Sequence, residues 1–220
     1  MAYLERCIQT FLKVQNLYWI VVEDDQAKNA EVEVLLAGSG LNVLYLDHGP
    51  TRCWGNRQRD YALGYIKRQR LKGIVYLADD DNFYDVRLFD EVRKTQRVSI
   101  FPAGHLGPSG IERPVVCGGK IIAWHAHWKT RKYPMDMAAF AFNAELLDGL
   151  TEPLFHYKGR GGESEFMERI VRSADDLEIL CQNCTQCYVW HNQPLEEFVW
   201  VSRVKYSLRQ LRKKWKGFQR

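Results

Sequence analysis

The chain has 220 residues, of which 46% are hydrophobic and 26% charged, with a formal net charge of +4. This length and balance predict one folded domain with a substantial core and argue against a disordered chain. Eight Lys or Arg residues and no acid lie between residues 203 and 220, so much of the positive charge sits in the tail. Elsewhere the charge indicates no nucleic-acid partner. No apolar run reaches the roughly 18 to 20 residues of a membrane span, and residues 1–17 lack the layout of a signal peptide, so the chain as given is expected to be soluble.

Helices and strands alternate through the first third of the predicted structure. Apolar periodicity predicts helices over residues 4–14, 27–37 and 56–70, and strands over residues 18–22, 41–46 and 73–78. Because the connections are short, this order predicts a mainly parallel sheet joined by right-handed crossovers. The expected class is therefore α/β.

The sequence GIVYLADDDN at residues 73–82 is the most informative stretch. It predicts a buried strand that ends abruptly in three carboxylates, Asp79, Asp80 and Asp81. Ligands in open α/β sheets bind beyond the carboxyl ends of strands, and hard oxygen ligands suit Mg²⁺ or Mn²⁺ bound to a diphosphate. The alternative is that these acids only supply a turn and the N-terminal charge of a helix that begins near Asp85.

Other charged residues are predicted near this strand end. The strand over residues 18–22 also ends in acids, including Asp24. Arg59 lies near the start of the preceding helix, where it could pair with one of the three aspartates or with a nucleotide phosphate. The other arginines of that helix are expected to be solvated.

The rest of the chain is predicted to continue in α/β order. We predict a helix over residues 85–96, a strand over 98–102, a Gly-rich loop over 103–113 that holds Glu112, and a hairpin formed by 115–117 and 120–125. Apolar residues 137–147 are expected to run beneath the site. A helix over 163–170, a strand over 187–190 that ends at His191, and a basic amphipathic helix over 195–220 complete the prediction. The domain proper is expected to span residues 1–194.

Several side chains in the second half suit a sugar site. Trp128, Arg131 and Asp136 combine an aromatic platform with charged groups that could fix sugar hydroxyls, although Trp128 could equally be a core residue. Glu163 follows a Gly-rich loop and is either a first-turn helix charge or a general base at the mouth of a cleft.

Three of the six cysteines and two neighbouring histidines are candidate metal ligands. Cys181, Cys184 and Cys187 have the spacing C-x-x-C-x-x-C, which can bind zinc or an iron–sulfur cluster, but no fourth ligand follows in a suitable position. His125 and His127 lack a third ligand and are interpreted as site-lining or surface residues. Asn183 begins an Asn-Cys-Thr sequon and is a candidate for N-glycosylation.

Seven short motifs occur in an order that is typical of one enzyme family. They are WIVVED at 19–24, GNRQRD at 55–60, YLADDDN at 76–82, GIERP at 110–114, PMDMA at 134–138, GES at 162–164, and NCT at 183–185 followed by VWH at 189–191. Over residues of about 3 to 193 the chain resembles the β-1,3-glucuronosyltransferases, glycosyltransferase family 43. The resemblance implies a GT-A-type nucleotide-sugar-binding fold.

The resemblance also implies an activity and residue roles. The reaction is transfer of glucuronic acid from UDP-glucuronate to a terminal galactose-type acceptor, as in proteoglycan biosynthesis, with inversion and with Mn²⁺ as cofactor. The implied roles are Asp81 as metal ligand, Asp79 and Asp80 as organisers of Arg59 and the ribose, Asp24 at the uracil, His191 at the diphosphate, Glu163 as catalytic base, and Glu112, Trp128, Arg131 and Asp136 around the acceptor. A Golgi location and a homodimer are further implications.

Some features depart from the family pattern. Gln193 replaces an Arg that usually accompanies a glucuronate donor, and the spacing from Trp128 to Asp136 is one residue shorter than expected. A UDP-xylose donor is therefore an alternative. The family's first strand and membrane anchor lie outside the sequence given, so a catalytically inactive sugar-binding homologue is a further alternative.

Overall fold

A computed structural model describes residues 1–51, 55–106, 110–155 and 162–191. The predicted C-terminal helix and Gln193 lie outside these residues. The helices are α1 (Ala2–Phe11), α2 (Ala30–Ala37), α3 (Asn56–Arg68), α4 (Arg87–Val92) and α5 (Gly162–Ile170). The strands are β1 (Trp19–Glu23), β2 (Val43–Asp47), β3 (Ile74–Tyr76), β4 (Asn82–Tyr84), β5 (Val98–Ile100), β6 (Ala103–Leu106), β7 (Gly110–Cys117), β8 (Lys120–His125), β9 (Phe140–Asn143), β10 (Glu178–Ile179) and β11 (Val189–His191).

The predicted helices form where the sequence supplies periodicity and caps. On α1 the apolar positions Cys7, Ile8 and Phe11 recur at helical spacing and are buried. The side chain of Asn29 accepts hydrogen bonds from the first-turn amides of α2, so a polar cap starts that helix. Gly55 precedes α3 with a φ of 76°, a conformation that glycine adopts without a Cβ clash.

The described strands form three hydrogen-bonded sheets, of which the first is parallel and the other two are mixed. Strands β1 and β2 pair in parallel across α2, as predicted for a crossover unit. The second sheet has the order β10-β5-β9-β3, and the third has the order β4-β11-β6-β7-β8. In the second sheet, β9 runs antiparallel to both of its neighbours, whereas β10 is parallel to β5.

The prediction of a mainly parallel central sheet is not confirmed. The chain reaches β9 from β8 through residues 126–139, a described stretch that holds no α-helix. Antiparallel strands can be connected without a crossover helix. Strand β9 accordingly lies between β3 and β5 and runs antiparallel to both. The supported fold class is therefore mixed α/β, which is consistent with a glycosyltransferase fold.

Two predictions about loops were wrong. Residues 103–113 were predicted as a Gly-rich loop, but β6 and β7 occupy most of this stretch, and Glu112 pairs with Ala103 across them. Strand β4 follows the three aspartates directly, where the sequence predicted only a connection to a helix. Strands β4 and β6 both pair with β11, a partner that is distant in sequence and that local composition does not reveal.

One part of the main core lies between the second sheet and α5. Phe140, Phe142 and Phe166 are completely buried, and the rings of Phe142 and Phe166 lie 5.1 Å apart. Met137 and Leu147 are also buried, so most of the apolar segment 137–147 lies in the interior, and its predicted position beneath the site stays a prediction. This core fixes the end of β3 and the start of α5, where the three aspartates and Glu163 lie.

The cysteine-rich segment forms a compact turn. Residues Cys181–Cys184 all have positive φ values, and Cys181 and Cys184 are buried. Within the described ranges, no cluster of three or more Cys, His, Asp or Glu side chains is arranged to hold a metal ion. Nor do those ranges contain a helix with the length and apolar character needed to cross a bilayer.

Candidate functional site

One large cavity collects the residues that the sequence predicted for the site. Its volume is about 1360 Å³, and it opens between β1, β3, α3 and the start of α5. The predicted site residues that line it are Asp24, Arg59, Asp79, Asp80, Asp81, Glu112, Trp128, Arg131, Asp136, Glu163 and His191. Their positions therefore agree with a single site, and the roles assigned to them stay predictions.

The N-terminal end of α3 connects the two acidic strand ends. Gln58 donates a hydrogen bond of 2.7 Å to Asp24 and another of 2.6 Å to the carbonyl of His48. One residue later, Arg59 forms an ion pair with Asp79 and also donates to Asn56. The predicted pairing of Arg59 with the aspartate triplet is thus present, and α3 holds both strand ends in one place.

Strand pairing brings His191 to the acidic turn, defined here as residues 79–82. Strand β11 runs antiparallel to β4, and His191 lies opposite Asn82. The ring nitrogen Nδ1 of His191 is 3.0 Å from Asn82 Oδ1 and 3.7 Å from Asp81 Oδ1. A histidine from the last described strand therefore faces a carboxylate that is separated from it by more than a hundred residues.

The electrostatics of Asp81 favour a cation beside it. Loss of hydration raises the pKa of Asp81, nearby His191 opposes that shift, and the charges of Asp79 and Asp80 add to it. With Asp79 already paired to Arg59, Asp81 is the more available ligand, and about a third of its side chain is exposed. Since the described residues supply no three-ligand cluster, a cation here needs water or phosphate oxygens to complete its shell. Mg²⁺ and Mn²⁺ accept such a shell, so the donor set fits Mn²⁺.

Glu163 lies at the start of α5 in contact with Arg131. The guanidinium Nη1 of Arg131 is 3.2 Å from Glu163 Oε2, and both side chains are about one-fifth exposed. Helix α5 starts close to α3 because Gly162 has no side chain: a Cβ there would lie 2.7 Å from Asn56 Nδ2. The carboxylate is thereby held at the cavity with a defined orientation.

Trp128 is exposed at the same edge of the cavity. Its exposed fraction is 42%, and the Arg131 guanidinium lies 5.2 Å from its ring centroid. The interpretation of Trp128 as a core residue is therefore wrong. An exposed ring next to paired charges is the arrangement that a sugar platform needs.

Glu112 and Asp136 are carboxylates in a poorly hydrated part of the site. Burial raises the pKa of Glu112, although the backbone N–H of His127 donates to it at 3.1 Å. Burial raises the pKa of Asp136 from 3.8 to about 7, against a hydrogen bond from the Ala138 amide. The charges of Asp79, Glu163 and Glu112 add to the shift of Asp136, so the cavity concentrates negative charge.

Asp136 is expected to make the folded state less stable as the pH rises. Its folded-state pKa exceeds the unfolded value of 3.8, so the stabilisation is complete below pH 3.8 and is lost as the pH rises to about 7. Replacement by Asn removes this titration, and it keeps an oxygen for the Ala138 amide. Urea unfolding should show that D136N gains stability relative to wild type between pH 4 and 8, by up to about 4 kcal/mol. A difference that does not vary with pH would contradict the prediction.

Three polar residues of the site were missed by the sequence analysis. Asn56, Gln58 and Asn82 are buried and hydrogen-bonded to the predicted site residues. Gln58 and Asn56 lie within a motif that carried the resemblance, so their signal was present in the sequence. Asn183 lies apart from the cavity, on the cysteine-rich turn, where its side chain is exposed. Its glycosylation stays a prediction.

Comparison with known proteins identifies a family that is consistent with this fold. A family model described as Glycosyltransferase family 43 matches residues 7–194. The galactosylgalactosylxylosylprotein 3-beta-glucuronosyltransferase 2 of Rattus norvegicus is 36% identical over 226 aligned positions, which cover 94% of this chain and 68% of that protein. The corresponding human protein is 35% identical with the same coverage. The glucuronosyltransferase S of Drosophila melanogaster is 36% identical over 212 positions, covering 92% of this chain and 52% of its own length.

These matches, together with the mixed α/β fold and the carboxylate-rich cavity, define the class of the protein as a glycosyltransferase. The matched region spans nearly all of the described residues. The chain belongs to glycosyltransferase family 43.

Proposed function

We propose that the protein transfers glucuronic acid from UDP-glucuronate to a terminal galactose-type hydroxyl of a glycan, with inversion at the anomeric carbon. The observation that carries this proposal is the single cavity lined both by the acidic turn with His191 and by Glu163 with Arg131. The names of the similar proteins support glucuronate as the donor sugar and a galactose-terminated glycan as the acceptor. The resemblance further supports a Golgi location and a homodimer.

The acidic turn and His191 form the donor end of the proposed mechanism. Asp81 would hold Mn²⁺, which supplies charge neutralisation for the departing diphosphate. His191 lies 3.7 Å from Asp81 and would donate a hydrogen bond to the same diphosphate. Arg59 is paired with Asp79 and would keep that carboxylate oriented towards the nucleotide.

Glu163 forms the acceptor end of the mechanism. Its carboxylate would accept the proton of the acceptor hydroxyl as that oxygen attacks the anomeric carbon. Arg131, at 3.2 Å, would fix the carboxylate in place. Glu112, Asp136 and Trp128 would bind the acceptor sugar, with the exposed indole ring against its apolar face.

Donor screening tests the proposal directly. The full chain is incubated with Mn²⁺ and a galactose-terminated oligosaccharide, together with either UDP-glucuronate or UDP-xylose, and product is detected by mass. A mass gain of one glucuronate residue supports the proposal, whereas xylose transfer replaces the donor assignment. No transfer of either sugar by a folded chain that still binds the acceptor supports an inactive sugar-binding homologue.

Trp128 is expected to control acceptor binding. Removing its ring in W128A should raise the apparent KM for the acceptor about tenfold, because stacking on an aromatic ring contributes roughly 1 kcal/mol or more. UDP affinity should be unchanged. Initial rates at varied acceptor concentration measure the effect, and I122A is the matched control because Ile122 is 65% exposed on β8. An unchanged KM in W128A would remove Trp128 from the acceptor site.

A further inference from the structure

Arg6 connects α1 to the acidic turn. Its Nη2 atom lies 3.2 Å from the carbonyl oxygen of Asp80 and 3.1 Å from that of Asn82. These two carbonyls flank Asp81 in the chain. One guanidinium nitrogen therefore holds the peptide units on both sides of the residue that is expected to bind the cation.

The guanidinium of Arg6 is itself fixed by aromatic rings. Its carbon Cζ lies 3.9 Å from the ring centroid of Phe83 and 5.0 Å from that of Tyr3. Both rings are more than one-third exposed, so they cover the arginine at the surface instead of joining the core. A planar guanidinium stacks on such rings, which an ammonium group does less well.

The neighbouring carbonyls of the acidic turn are also held. Cys7 Sγ lies 3.6 Å from the Asp80 carbonyl, and the Tyr84 hydroxyl donates to the Asp79 carbonyl at 2.5 Å. Arg6 Nε is buried and has no hydrogen-bond partner among the described residues. Burying an unpaired donor costs free energy. Arg6 keeps its two carbonyl contacts through Nη2 although its Nε bears this cost.

We propose that Arg6 is a positioning residue that preorganises the acidic turn for a divalent cation. This inference rests on the proposed function, since it assumes that Asp81 binds Mn²⁺. Arg6 would act through the backbone carbonyls and would not need to touch the cation. It acts by holding the backbone on both sides of Asp81, so that the carboxylate projects into the cavity before the cation arrives. Groups that orient metal ligands in this way typically contribute about 10- to 100-fold to metal affinity.

Removal of Arg6 is expected to change cation affinity in opposite directions, depending on whether Arg6 acts by positioning the turn or only through its charge. If Arg6 acted only through its charge, its removal would strengthen cation binding, because one positive charge near the site would be lost. If Arg6 positions the turn, its removal weakens binding. The variant R6K separates the two effects further, since it keeps the charge, but its shorter reach and compact ammonium cannot both bridge the carbonyls and stack on Phe83.

The test measures Mn²⁺ binding in the presence of UDP by electron paramagnetic resonance of the free ion, using the full chain. We expect the Mn²⁺ dissociation constant to rise about tenfold in R6M and in R6K. The matched control is R87M, because Arg87 also stacks on an aromatic ring, Tyr188, at 4.7 Å and pairs with Asp85 close to the turn. R87M should bind Mn²⁺ as wild type does. Unchanged or tighter binding in R6M would overturn the proposal.

A metal-free readout separates this inference from the proposed function. Amide hydrogen exchange of residues 79–84, measured without Mn²⁺, should be faster in R6M and R6K than in wild type and R87M. Thermal unfolding midpoints identify any variant that has lost its fold, and R6K then serves as the milder substitution. If wild type fails to bind Mn²⁺, the proposed function is wrong. If exchange in the turn is the same in all four proteins, the positioning role is wrong, whatever the protein binds.

Discussion

Replacing Glu163 by glutamine is expected to abolish sugar transfer and to leave UDP binding nearly intact. The amide cannot accept the proton of the acceptor hydroxyl, and general bases contribute roughly 10²- to 10⁴-fold to rate. Gln keeps the length of the side chain and an oxygen that can accept the 3.2 Å hydrogen bond from Arg131, so the local structure should persist. Initial transfer rates and calorimetric titration of UDP measure the two properties separately.

Glu168 provides the matched control for this experiment. It lies on the same helix, α5, its side chain is exposed, and it does not line the cavity. E168Q should therefore transfer sugar at the wild-type rate. Loss of transfer and of UDP binding together in E163Q would refute the assignment of Glu163 as base, because that result indicates a damaged site instead of a missing proton acceptor.

Asp81→Ala should remove the dependence of UDP binding on Mn²⁺. In wild type, Mn²⁺ is expected to tighten UDP binding, because the ion links a carboxylate to the diphosphate. In the variant, UDP affinity with Mn²⁺ should fall to the value without Mn²⁺. Calorimetric titration of UDP, with and without the ion, measures this difference directly.

The same substitution should not destabilise the ligand-free protein. Burial and the charges of Asp79 and Asp80 already disfavour the ionised form of Asp81, so removing its carboxylate relieves repulsion. We expect the thermal midpoint of D81A without ligands to equal or exceed that of wild type. D90A, at an exposed position on α4, is the control that should keep the Mn²⁺ dependence. Persistent Mn²⁺ dependence in D81A would assign the ion to another ligand.

The sequence predicted those parts of the fold that depend on local periodicity. Helix α3 and strands β1 to β3 lie where apolar spacing and glycines indicated them, and the acidic strand end is part of the cavity. The contact of Arg59 with Asp79 followed from the same reasoning, since the start of a helix and the end of the next strand meet at one edge of a sheet.

The parts that were not predicted depend on partners that are distant in sequence. Strand β4 is three residues long, and its pairing with β11 is what brings His191 to Asp81. Direction could not be inferred for β9, because a buried apolar run such as Phe140–Asn143 has the same composition in parallel and antiparallel sheets. The exposure of Trp128 was undecided for a similar reason, since it depends on a cavity whose lining comes from elements distant in sequence.

The pairing of His191 with Asn82 determines when the proposed donor end of the site is complete during synthesis. The two residues are 109 positions apart, and β11 is the last described strand. A ribosome-bound chain that has emerged only as far as β9 already carries the three aspartates, but it lacks β11 and therefore His191. In such a nascent chain β4 has no partner in β11, so nucleotide binding of the proposed kind becomes available only after β11 has been translated.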